Sequence, residues 1–145
     1  MSLRDGTKKM SKSDASELSR VLLTDSNDAI ATKLKKAKSD SDLIPDSVEL
    51  LKEKAECLNL INILSATMNQ SQEKTLQEFA GREYSILKNK LAESLIEVLG
   101  PIREEIENLL NNKDELNKIL AIGTEKAEEI ANPILREVYK IVGFR

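Results

Sequence analysis

Histidine and tryptophan are missing from these 145 residues, and cysteine occurs once. Without histidine there is no usual general base, no commonest metal ligand, and no Ser-His or Cys-His arrangement for nucleophilic catalysis. No Cys/His cluster can hold zinc. Cys57 cannot form an internal disulfide, which agrees with a reducing compartment. Its expected role is a small buried apolar side chain within a helix. Aromatic residues are 3% of the chain, too few for base stacking to be a main mode of binding. Apolar runs fall well short of the roughly 20 residues a membrane span requires. The first residues carry no signal-peptide pattern, because Lys8 and Lys9 precede polar residues.

What remains is 32% charged and 40% hydrophobic, the balance of a soluble domain large enough for a real core. The net charge of -3 conceals an asymmetry. Residues 1–40 carry nine Lys/Arg against six Asp/Glu, whereas the other 105 carry thirteen against nineteen. A basic surplus at one end suits a phosphate partner, although charge alone reads more readily as a solvated run.

Helical periodicity begins only after residue 23. Before it, Gly6, the serines and the lysines read as a mobile loop, with Val21, Leu22 and Leu23 as an extended anchor. Asp25 or Ser26 is placed to cap a helix containing Ala29, Ile30, Leu34 and Ala37, with Lys33, Lys35, Lys36 and Lys38 near its end. A polar loop through Pro45 follows, then a helix over 53–69 with Leu58, Ile61 and Leu64 on one face, widened by Leu60 and Ile63. Ser71 caps a short helix that Gly81 stops. The longest stripe, Leu87, Leu91, Leu95, Val98, Ile102, Ile106 and Leu109, predicts a helix over 85–111, kinked but not ended at Pro101. A short helix from Asp114 to Gly123 and a last one capped by Thr124 complete the count. The stripe Ile130, Ile134, Val138 and Ile141 is expected to be core. The expectation is an all-α fold of about six helices, bundle-like, without internal repeats.

One segment carries chemistry: Lys9-Met10-Ser11-Lys12-Ser13. Two lysines three apart aim two point charges at one polyphosphate. Small serines let the backbone come close and donate hydrogen bonds. Preorganised cations of this kind stabilise charge building up on a leaving pyrophosphate. A flexible loop can close over a nucleotide and reopen. Alone, such a string is also compatible with a phosphosite or a solvated tail.

Its surroundings carry a family resemblance. SLRDGTKKMSKSD (2–14), VLLTDSNDAIATKLKKAKSDS (21–41), NLINILSATMN (59–69), EFAGREYSILKNKLAE (78–93), GPIREEIENLL (100–110) and ILREVYKIVGF (134–144) resemble, in order, segments of bacterial tryptophanyl-tRNA synthetases. The loop resembles the signature loop of class I aminoacyl-tRNA synthetases. The resemblance implies ATP-dependent attachment of tryptophan to tRNA(Trp) by a cytoplasmic homodimer, with Mg2+ accompanying the nucleotide. It implies that residues 1–23 are the tail of a catalytic domain and 24–145 a helical domain facing the tRNA anticodon. By the same resemblance Lys9, Ser11, Lys12 and Ser13 hold ATP phosphates, Lys12 makes the main transition-state contact, and Met10 packs the loop or touches adenine. No residue is assigned to a metal. The family's histidine- and glycine-containing nucleotide motif, its tryptophan pocket and most of its sheet have no counterpart. The chain therefore reads as a C-terminal fragment that does not activate tryptophan by itself. The alternatives are an autonomous helical RNA-binding module using the Lys33–Lys38 cluster, or a helical protein-interaction domain.

Overall fold

The computed structural model describes residues 1–144, and among them every regular element is helical. After a 3-10 turn at Glu17–Ser19, six α-helices follow: α1 Asn27–Lys35, α2 Val48–Glu53, α3 Ala55–Thr67, α4 Gln72–Phe79, α5 Tyr84–Asn111 and α6 Lys113–Val142. The caps explain most starts. The Ser26 side chain accepts from the Ala29 amide, Ser47 from Leu50 and Ser71 from Lys74, each satisfying an amide that has no partner inside its helix. Gly81, at φ +69°, closes the turn after α4 in a left-handed conformation that a side chain would strain.

Two sequence expectations are corrected. The helix expected over 53–69 is α3, Ala55–Thr67, and a separate short helix not expected from the sequence precedes it. Ser47 caps a six-residue α2, and Lys54, with φ −111° and ψ +83°, breaks the chain before α3. The break expected between Gly123 and Thr124 does not occur, because α6 runs straight through both. A single glycine costs a long helix only about 1 kcal/mol. Thr124, instead of capping, returns its hydroxyl to the Leu120 carbonyl one turn back, at 2.9 Å. Pro101 lies within α5, which continues past it as expected.

The chain divides into two compact units, residues 1–104 and 105–145. The first has a continuous core. Ile30 and Leu34 of α1, Leu60, Ile61 and Leu64 of α3, and Leu87 and Leu91 of α5 are at most 1% exposed. Polar groups inside it are paired. The Ser65 hydroxyl lies 2.8 Å from Ile61 O and 2.9 Å from the Thr75 hydroxyl, tying α3 to α4. The expected α5 stripe is buried only through Leu95; Val98 and Ile102 are exposed. The second unit buries nothing along α6, so Ile130, Ile134, Val138 and Ile141 are surface residues and not core.

A tethered basic loop

Residues 1–20 are held against the rest of the first unit by hydrogen bonds that span the sequence. Asn59, buried on α3, donates through Nδ2 to Ser2 O at 3.0 Å and Met1 O at 3.3 Å, while its Oδ1 accepts from the Met1 amine at 2.8 Å. The Leu3 amide donates to Ser19 O at 2.9 Å, and Leu3 O accepts from the Lys38 amide at 2.8 Å. Leu3 itself is buried in the core. The segment thus behaves as a strut between the loop and α1, although it forms no regular element.

The entry to the loop is a tight turn built on Asp5. Its Oδ1 accepts from the Thr7 hydroxyl at 2.6 Å and the Thr7 amide at 3.1 Å, and its Oδ2 meets Lys8 Nζ at 3.1 Å. The Thr7 hydroxyl first, then Lys8, hold the Asp5 carboxyl down at about 2. Gly6 is required here for space. A Cβ at this position would lie 2.4 Å from Ala55 O and 2.8 Å from the Glu56 amide nitrogen, both backbone atoms of α3. The Ser2 amide then fixes Lys8 O at 2.8 Å.

The exit is held by Arg20. Its Nη1 donates to Asp14 O at 3.0 Å and Ser16 O at 3.4 Å. Beyond it, the Leu22 amide donates to Asp25 Oδ2 at 2.8 Å, and both Asp25 oxygens receive Lys33 Nζ, at 2.6 and 2.7 Å. Both side chains of this pair are nearly buried, at 8% exposed for Lys33 and 10% for Asp25. Arg103 of α5 adds bonds to Asp25 O at 2.9 Å and Asn27 Oδ1 at 3.0 Å.

Between Lys8 and Asp14 lie the five residues singled out by sequence. Lys9, Ser11, Lys12 and Ser13 are exposed, and Met10 is half-buried against the hydrophobic core. The Ser11 and Ser13 hydroxyls sit 3.0 Å apart, and the Asp14 amide reaches Ser11 O at 3.5 Å. The Ser13 amide also donates to the Ser11 hydroxyl, at 3.3 Å, and among the described residues neither lysine has an ion pair. The result is an exposed segment with two ammonium groups and two hydroxyls, pinned on both flanks. That is an arrangement suited to an incoming polyanion. No group of three or more His, Cys, Asp or Glu side chains able to hold a metal occurs among the described residues.

Sequence reasoning missed the supports: Asp5, Gly6, Arg20 and Asn59. An Asp-Gly pair signals a turn, but the Asn59 contact joins residues 57 apart and leaves no local trace. The Lys33–Lys38 cluster is not one patch. Lys33 is consumed by Asp25, and Lys38 pairs with Glu56 at 2.7 Å. Beside the loop's base, an apolar groove of about 410 Å³ runs along α3, lined by Met1, Gly6, Leu58, Ile63 and Ala66 among others.

The model for class I tRNA synthetases (W and Y) matches residues 1–100. The chain is 45% identical over 144 residues to a tryptophan--tRNA ligase of Rhizobium meliloti, spanning 99% of this chain and 41% of the relative. It is 46% identical to the tryptophan--tRNA ligase of Caulobacter vibrioides, covering 99% of this chain and 42% of that one. The crystal structure of tryptophanyl-tRNA synthetase from Mycoplasma pneumoniae matches with a TM-score of 0.82 at 25% identity, over all of this chain and 43% of that one. The chain therefore spans about two fifths of the length of the relatives it matches.

Proposed function

The chain belongs to the class I tRNA synthetases of the tryptophan and tyrosine kind, and from that premise we propose that the whole protein joins tryptophan to tRNA(Trp) using ATP, with this chain supplying the phosphate loop and a tRNA-facing helical region. A tryptophan carboxylate oxygen attacks the α-phosphorus of ATP, and the bond to the bridging oxygen breaks. Pyrophosphate leaves with the electron pair, and the aminoacyl-adenylate then passes its acyl group to a tRNA hydroxyl, releasing AMP. The charge that builds on the bridging and leaving oxygens is where Lys12 acts, assisted by Lys9 and by hydrogen bonds from Ser11 and Ser13. Met10 packs the tip onto the core and so limits how far the loop swings. A magnesium ion accompanying the nucleotide would help to neutralise the phosphate charge.

The observation that supports this best is the exposed, doubly tethered pair of lysines in a chain of this family. Tryptophan over tyrosine rests on the names of the relatives. Homodimer formation and a cytoplasmic setting follow the same resemblance; no described helix is long and apolar enough to cross a membrane. The autonomous RNA-binding reading is weakened, because Lys33 is buried against Asp25 and Lys38 is paired with Glu56.

The test is ATP–pyrophosphate exchange by the full-length protein with tryptophan or with tyrosine, followed by charging of tRNA(Trp). Exchange that depends on tryptophan and proceeds to charged tRNA(Trp) is expected. Exchange that prefers tyrosine, or none at all, overturns the assignment. The 145-residue chain by itself, with no strand among its described residues, is expected to give only background exchange.

A further inference from the structure

Arg20 does not belong to the five-residue tip, yet it holds the tip's exit more firmly than any other side chain. It follows the 3-10 turn Glu17–Ser19 in extended backbone, φ −141° and ψ 156°. That conformation turns its side chain back along the loop. Its Nη1 bonds to Asp14 O, one residue past Ser13, at 3.0 Å and to Ser16 O at 3.4 Å. Ser16 O is a shared acceptor, also taking the Ser19 amide at 3.1 Å and the Ser19 hydroxyl at 2.7 Å. The Ser16 amide returns to Asp14 Oδ1 at 2.8 Å. Ser19 O receives the Leu3 amide, which carries this knot onto the body of the unit.

The Arg20 side chain is 12% exposed, and its Nη1 is committed to these two carbonyls. Its contact with Glu17 is a different matter. It is 4.0 Å long and Glu17 is 79% exposed, so it contributes little. Both carbonyls are held by the hydrogens of one nitrogen, Nη1; the planar guanidinium fixes the direction of those bonds, whereas the hydrogens of a lysine ammonium turn freely. Residues 9–13 are then a short span between two fixed points, Lys8 O held by the Ser2 amide and Asp14 O held by Arg20.

We propose that Arg20 is a positioning residue for ATP-dependent chemistry: by clamping the Asp14 and Ser16 carbonyls it fixes where the loop leaves its tip, and so sets the reach of Lys12 and Ser13 toward the phosphates. This rests on the reading of residues 9–13 as the phosphate loop. The guanidinium touches no reacting atom; it acts through the backbone it holds. A displacement of about 1 Å in a catalytic group costs on the order of a hundredfold in rate. Loss of the clamp is therefore expected to slow adenylate formation by tenfold to a hundredfold, on the order of that displacement effect. Transfer from preformed tryptophanyl-adenylate to tRNA does not use the triphosphate and stays within about twofold of wild type, because its chemistry gains nothing from the loop's position.

The experiment uses the full-length protein as wild type, Arg20→Met, Lys12→Ala and the double variant. It measures ATP–pyrophosphate exchange and, separately, transfer from isolated adenylate. The expected result is a loss of exchange in Arg20→Met with transfer intact, and little further loss when Arg20→Met is added to Lys12→Ala, since the two then act through one contact. Equal losses in exchange and transfer would make Arg20 a support of the fold only, and so overturn the proposal. Exchange unchanged in Arg20→Met but lost in Lys12→Ala overturns the positioning role and leaves the phosphate-loop reading standing. Exchange unchanged in both variants removes the phosphate-loop reading itself.

Discussion

Residues 1–104 and residues 105–144 carry the same kind of apolar periodicity and end in opposite states. In the first region the stripes of α1, α3 and α5 meet one another, and Ile30, Leu34, Leu64 and Leu91 are fully buried. In the second, the 30-residue α6 presents Ile130 at 71%, Ile134 at 60% and Ile141 at 84% exposed, and buries no residue. Periodicity thus identifies which face of a helix is apolar; it does not say that a partner for that face exists in the same chain. The loop belongs to the region that has a core, and its tethers end on α1, α3 and α5 residues of that region.

The comparison is broken most severely at Lys33. Lys33→Met strands the Asp25 carboxylate in a nearly buried site, and the expected loss is about 3–5 kcal/mol in denaturant unfolding of the first region. A loss under about 1 kcal/mol would mean that water reaches Asp25 in the folded state. Leu91→Ala follows, with about 2–5 kcal/mol expected from the cavity it leaves, read from the same unfolding curves.

Alkaline pH probes the same core more gently. Burial first, and then the Cys57 thiol, push the Tyr84 phenol far above its ordinary value of 10.0, and burial likewise raises the Cys57 thiol. Because folding keeps these groups protonated, their contribution is intact below their unfolded values. It declines as pH rises through about 9 to 10 and beyond, by at most about 1.4 kcal/mol per pH unit for each group. A stability profile from pH 7 to 11 checks this, and Tyr84→Phe is expected to flatten its alkaline limb.

Ser26→Ala, which removes the cap of α1, is expected to cost about 0.5–2 kcal/mol. At the small end, Ile134→Ala on α6 is expected to stay within about 0.5 kcal/mol of the parent chain, because its side chain is already in water. A loss above about 2 kcal/mol there would erase the distinction between the two regions.

Much of the helical layout was legible because its signals are local. Ser26 and Ser71 cap where expected, Gly81 turns the chain, and the α5 stripe runs through Pro101. The short α2 was not legible, since six residues hold too few apolar positions to show a period. The uninterrupted α6 was misread because Gly-Thr looks like a stop and a cap, while back-bonding of Thr124 to Leu120 O lets the helix continue. The loop's basic, serine-containing tip could be read from Lys9, Ser11, Lys12 and Ser13. Its scaffold could not, because Asn59, Lys38 and Ala55 meet it only after the chain has folded.

Amide hydrogen exchange on the full-length protein, with and without ATP, tests the central assignment most directly. Amides of residues 9–14 are expected to slow when the nucleotide binds, while those of residues 119–142 keep their rates. Unchanged exchange across 9–14 at saturating ATP contradicts a loop that grips phosphates.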